Sequence, residues 1–152
     1  MYSKILVPVD GSPIAEQALE SAVSLARTFG ASLHLVQVAP GPVSSDYIVD
    51  IHLHESVMRR ENEKLQAHLD KLKERLSESG LEVTACLLGP GTPGPELVAE
   101  IERAAADLVV MTSHGRTGVV RMLLGSVAEY VARHAACPTL IVRPKKDDTQ
   151  RD

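Results

Sequence analysis

The residues with the clearest chemical potential lie between Leu108 and Val142. An apolar run, Leu108-Val109-Val110-Met111, ends in Thr112-Ser113-His114-Gly115, and Gly125-Ser126 follows after nine intervening residues. That spacing reads as a phosphate cradle. A strand delivers the chain to a loop, Gly115 lets the backbone approach a ligand with no side chain in the way, and Gly125-Ser126 opens the next helix. Ser126 stands three residues before Glu129, so Ser126-Val127-Ala128-Glu129 has the form of a capping box. The start of that helix offers free N–H groups and the positive end of its dipole to an anion. Taken alone, such a glycine pair also fits a flexible loop followed by a helix cap.

Other candidates divide between ligand and local roles. Arg116 and Arg121 fall within the nine-residue spacer, where they are either cations for a phosphate chain or solvated loop residues. His114 either contacts the ligand or holds the loop by a hydrogen bond. Asp10, at the end of the first apolar run, reads locally as a turn aspartate. Asp46, Asp50, His52, His54 and Glu55 resemble a metal cluster, yet His-x-His does not share one helix face and no cysteine lies at zinc-site spacing, so a solvated loop is expected. Gly89 to Gly94 lacks a Gly-Lys-Ser/Thr sequence and reads as a turn, not a Walker loop.

The elements that must position these residues alternate between strand and helix. Lys4 to Val9 is a continuous apolar run, the pattern of a strand buried on both faces. Ser12 as N-cap and Pro13 at the first position begin a helix with Ala15, Ala18, Leu19, Ala22, Val23, Ala26 and Phe29 at helical spacing, and Gly30 ends it. Ser32 to Val38 is the second strand. A long polar helix from about Ile51 carries Leu65, Leu69, Leu72 and Leu76 on one side and stops at Gly80. Further elements are a strand over Glu82 to Leu88, a helix over Glu96 to Ala105, a strand over Asp107 to Met111, a helix from about Val127 to His134 and a strand over Pro138 to Val142. The alternation predicts an α/β fold, a parallel sheet with helices on both faces. One domain over residues 1–144 is expected, followed by a charged tail over 145–152.

Composition narrows the function classes. The chain has 152 residues, 44% hydrophobic and 24% charged, as in a globular domain, with no apolar run long enough to span a membrane. A formal net charge of −4 and 3% aromatic content argue against nucleic-acid binding, which calls for a basic face and stacking side chains. Cys86 and Cys137, far apart, read as reduced thiols of a cytoplasmic protein.

Gly115 and Gly125-Ser126, together with Ile5-Leu6-Val7-Pro8-Val9-Asp10-Gly11-Ser12 and Cys137-Pro138-Thr139-Leu140-Ile141-Val142, resemble the ATP-binding branch of the universal stress protein family over nearly the whole chain. The family pattern places a glycine three positions before Gly115, with two residues between, where this chain has Thr112, a hydroxyl that is itself a potential phosphate donor. The resemblance implies a doubly wound, Rossmann-like five-stranded sheet of order 3-2-1-4-5, akin to the adenine nucleotide α-hydrolase fold. It places the ligand beyond the strand ends at the point where the order reverses. It further implies ATP with Mg²⁺ as ligand. Pro8, Val9 and Asp10 would line the nucleoside side, and Val38 would meet the base through its backbone. The N–H groups of Gly115, Arg116, Ser126 and Val127 and the Ser126 hydroxyl would meet the phosphates, and Ser12, Met111, Thr112, His114, Gly125 and Ala128 would complete the nucleotide site. Homodimerisation through the apolar edge Pro138 to Val142 follows from the same resemblance.

The expected function is nucleotide-dependent regulation of an unknown client protein, with no catalytic residues, no bound metal site of its own and at most weak ATPase activity. A hydrolase and a nucleotide-free interaction module are the alternatives.

Overall fold

The computed structural model describes residues 1–41, 51–114 and 124–145. Its elements run β1 (Lys4–Pro8), α1 (Pro13–Phe29), β2 (Ser32–Pro40), α2 (Ile51–Glu78), β3 (Val83–Gly91), α3 (Pro93–Arg103), β4 (Leu108–Thr112), α4 (Ser126–His134) and β5 (Thr139–Val142). The strands form one sheet in the order β3-β2-β1-β4-β5, and every neighbouring pair is parallel. β1 is central, and the chain winds outward from it first to one side and then to the other.

Burial on both faces explains the uninterrupted apolar runs. Ile5 and Val7 of β1 pack with Leu33 and Leu35 of β2 against Ala18 and Ala22 of α1 and Leu69, Leu72 and Leu76 of α2. Leu6 and Val36 face the other way, toward Leu97 and Ile101 of α3 and Val131 of α4. Side chains alternate across a strand, so each β1 or β2 residue supplies one cluster or the other.

Local signals set the helix ends. Ser12 accepts a hydrogen bond from the Ala15 N–H at 3.2 Å, Pro13 occupies the first turn of α1, and Gly30 closes the helix at a φ of 68°. α2 runs 28 residues and buries only Leu69, Leu72 and Leu76 in its last turns, while Ile51, Leu53 and Val57 near its start stay exposed. Glu16 of α1 accepts from His68 of α2 at 3.0 Å and ties the two helices together.

Two sequence expectations need correction. α3 starts at Pro93, not Glu96, because prolines fit a first helical turn, where N–H groups have no helical partner; β3 correspondingly extends through Gly91 into the expected turn. Residues 51–55 open α2 instead of forming a loop. Among the described residues no group of acidic, histidine or cysteine side chains could hold a metal, while Asp46 and Asp50 lie outside them.

At the strands' N-terminal edge, Asp107 gathers the chain. Its carboxylate accepts from the Ser3 N–H at 2.8 Å, the Ser3 hydroxyl at 2.6 Å and the Lys4 N–H at 3.0 Å. Burial pushes this carboxyl up, but the three donors outweigh it and hold the group below its usual range. The nearby Cys137 thiol is pushed up, first by burial and then by the Asp107 charge.

Candidate functional site

At the opposite edge, β1 hands the chain to α1 on one face while β4 hands it toward α4 on the other. A cleft of about 400 Å³ opens there, above the reversal of strand order. Pro8, Val9, Asp10, Val38, Met111, Thr112, His114, Gly125, Ser126, Val127 and Ala128 all line it. Segments more than a hundred residues apart in sequence thus meet at one site.

The β1 and β2 side is largely apolar. β1 ends early: Val9 donates its N–H to the Val36 carbonyl at 2.8 Å, and β2 continues to Pro40. Val38, two residues beyond Val36, presents its peptide to the same side, past the end of β1. Asp10 is held at the turn, with Oδ1 accepting from the Ser12 N–H at 2.8 Å and from the Ser12 hydroxyl. Ser12 does not line the cleft; it fixes Asp10 and caps α1.

Three helices begin near this rim, and they differ in what they leave for an anion. In α1, Ser12 caps one donor and Pro13 lacks another. In α3, Pro93 and Pro95 remove two N–H groups from the first turn. α4 has Gly125 as N-cap, no side-chain cap and no proline in its first turn, so the N–H groups of Ser126, Val127 and Ala128 have no acceptor among the described residues. The expected capping box is absent. Ser126 sits one position inside the helix, and Glu129 instead pairs with Arg133 at 2.8 Å. An uncapped N-terminus beside a cleft is the better anion site, because its positive partial charge has not been spent on the protein.

The loop after β4 is braced from within. The Thr112 hydroxyl donates to the His114 carbonyl at 2.9 Å, so it serves the loop and is not directed at a phosphate as the sequence suggested. Ser113 donates its N–H to Val142 of β5 at 3.0 Å and pairs through its hydroxyl with His114 Nδ1 at 2.9 Å. The Gly125 N–H reaches the Ser113 carbonyl at 2.8 Å, and a Cβ on Gly125 would stand 2.7 Å from that oxygen. Glycine is therefore required by the approach of two backbones, since its φ of −62° suits any residue. Gly115, Arg116 and Arg121 lie outside the described residues.

Several lining residues escaped the sequence reading. Leu65 reads in sequence as an apolar helix position and Ser113 as part of the glycine loop, yet both line the cleft, as does Leu97 of α3. Gln37 is the most informative omission. It lines the cleft at 2% exposure, and its side-chain oxygen has no hydrogen-bond partner. A glutamine inside the apolar run Leu33 to Val38 was the available signal.

Known proteins share this architecture. Universal stress protein MJ0531 of Methanocaldococcus jannaschii is 36% identical, over 97% of this chain and 86% of that protein. The solved structure of MJ0577, from the same organism, superposes with a TM-score of 0.82 at 28% identity, covering 97% of this chain and 99% of its own. A universal stress protein from Archaeoglobus fulgidus in complex with dAMP superposes with a TM-score of 0.61 at 25% identity, over 92% and 97% of the two chains. The model of the universal stress protein family matches residues 1–143, and with these relatives it shows that the chain belongs to that family.

Proposed function

We propose that the cleft binds an adenine nucleotide, with ATP as the fullest occupant, and that occupancy regulates contacts with a client protein. The observation that carries this reading is the start of α4 at the sheet's reversal point, where N–H groups have no side-chain cap and no acceptor among the described residues. The dAMP complex of the Archaeoglobus relative supports the adenine nucleotide class. Phosphates would meet the N–H groups of Ser126, Val127 and Ala128, and the nucleoside would lie along Pro8, Val9, Asp10 and Val38. Asp10 is the one carboxylate of the described cleft lining, so Mg²⁺ would be held chiefly by phosphate oxygens and water.

Regulation fits better than hydrolysis. The cleft's one hydroxyl–imidazole pair among the described residues is Ser113–His114, and no carboxylate there orients the ring for base catalysis. Both cysteines are free thiols, which suits a reducing, cytoplasmic setting, and among the described residues no helix is long and apolar enough to cross a membrane. β5 lies at the sheet edge with Leu140 41% exposed, and we assign this edge to the homodimer. Leu140→Lys should yield a monomer in light scattering. An unchanged oligomeric mass would free the edge of that role.

Ser126→Pro tests the phosphate assignment directly. Proline is tolerated at the first helical position, and Gly125 already has the extended φ and ψ of −62° and 153° that precede a proline comfortably. The substitution deletes an N–H and a hydroxyl while the helix persists. ATP affinity should fall by about tenfold or more in calorimetry, the scale of a lost charge-assisted hydrogen bond. Wild-type affinity in a variant that melts normally would refute the placement of phosphate at α4.

A further inference from the structure

Gln37 is the polar exception among the β2 residues that line the cleft. Leu33 and Leu35 precede it on the same face of β2, in the cluster shared with α1 and α2. Its register partner in the sheet is Leu87 of β3, Val9 just past the end of β1 bonds the adjacent Val36, and Ala15 and Leu65 line the cleft with them. All of these side chains are apolar, so none can donate to the Gln37 oxygen. A buried acceptor in such surroundings is destabilising until a donor arrives. Gln37 lines the cleft, which among the described residues is the side left open to such a donor.

The chemistry of that donor follows from the site's two ends. Phosphate suits the N–H groups of α4 and is repelled by a carboxamide oxygen. β2 and β4 are separated by β1, a span of about 10 Å, which accommodates a nucleoside between a phosphate at α4 and a base at β2. Carboxamides pair with the amino-bearing edge of adenine, with the oxygen accepting from the 6-amino group.

We propose that Gln37 reads the base: its Oε1 accepts a hydrogen bond from the 6-amino group of a bound adenine and disfavours 6-oxopurines at the same position. This inference rests on the nucleotide reading above and adds to it the residue that selects the base. A 6-oxopurine would set its carbonyl against the Gln37 oxygen, and both acceptors would lose their solvation without gaining a bond.

Calorimetric titration with AMP, IMP and ribose 5-phosphate separates the possibilities. The wild-type protein should bind AMP about tenfold or more tightly than IMP. Gln37→Met, close in volume and without polar atoms, should bring AMP to within about threefold of IMP and leave ribose 5-phosphate unchanged. Its melting temperature without ligand should equal or exceed that of the wild type, because an unpaired buried acceptor has been removed. Tight AMP binding by the wild type with an unchanged AMP-to-IMP ratio in Gln37→Met overturns the role of Gln37 while leaving the nucleotide site standing. Binding of none of the three by the wild type overturns both. Should Gln37→Met fail to fold, the wild-type ratio still decides, since equal affinities or a preference for IMP contradict the proposal.

Discussion

The two edges of the sheet treat their polar groups in opposite ways. At the N-terminal edge, Asp107 collects three donors, the Lys4 ammonium donates to the Ala104 carbonyl at 2.9 Å, and Asp107 returns its own N–H to the Lys4 carbonyl at 3.0 Å. At the C-terminal edge, the first turn of α4 has no cap and the Gln37 oxygen has no donor. Both edges are built from the same strands. Meeting the groups around Asp107 at one edge fixes strand order and register, and leaving Gln37 and the start of α4 unmet at the other creates affinity for something outside the chain.

Substitutions at each edge should therefore separate stability from binding. Gly125→Val should have the largest effect, because its Cβ meets the Ser113 backbone oxygen and neither backbone can yield without disturbing the junction of β4, β5 and α4. A loss of about 1–3 kcal/mol or more is expected in denaturant unfolding. This outcome would blur the comparison at that one position, since steric loss and ligand loss coincide there. A variant as stable as the wild type would show that the loop relaxes freely.

Asp107→Ala, at the saturated edge, should cost roughly 1–3 kcal/mol with nucleotide affinity unchanged. A tenfold loss of affinity in this variant would break the division between the edges. The pH dependence is smaller and has a defined sign. The folded Asp107 carboxyl lies below its usual value, so its contribution is complete above the unfolded value of about 3.9 and is lost as pH falls through the folded value. Acid unfolding of Asp107→Asn should accordingly be less steep than that of the wild type below about pH 4.

Most of the architecture was legible in sequence because burial on both sheet faces leaves an apolar run at each strand, and because Ser12, Pro13 and Gly30 mark helix ends by local geometry. Errors arose where two local rules competed. Pro93 falls in a segment that reads as a turn although prolines also begin helices, and Ser126 has the spacing of a capping box although Gly125 is the cap and Ser126 already the first helical residue. Of the residues named from the glycine pattern, the described ones, from Met111, Thr112 and His114 to Gly125 and Ser126, lie together in space. Ser113 and Leu65 were not legible because their significance depends on contacts between distant segments, and Gln37 stood out only as a polar residue in an apolar strand, without the cleft that gives it meaning. Thr112 was legible as a departure but not in its role, since its partner, the His114 carbonyl, is set by the turn of the loop.

α2 carries a consequence of its own. Over 28 residues, about 42 Å of helix, its buried anchors are confined to Leu69, Leu72 and Leu76, while Leu65 stands at the cleft and Ile51 is 65% exposed. Such a helix is a lever with its fulcrum near its C-terminal end. Amide exchange should slow progressively from Ile51 toward Leu76, because opening a distal turn breaks only hydrogen bonds whereas opening a proximal one also exposes the core. A molecule resting on Leu65 would press on the lever just beyond its fulcrum, so that a small change in the cleft is carried along the arm as a larger displacement of its free end.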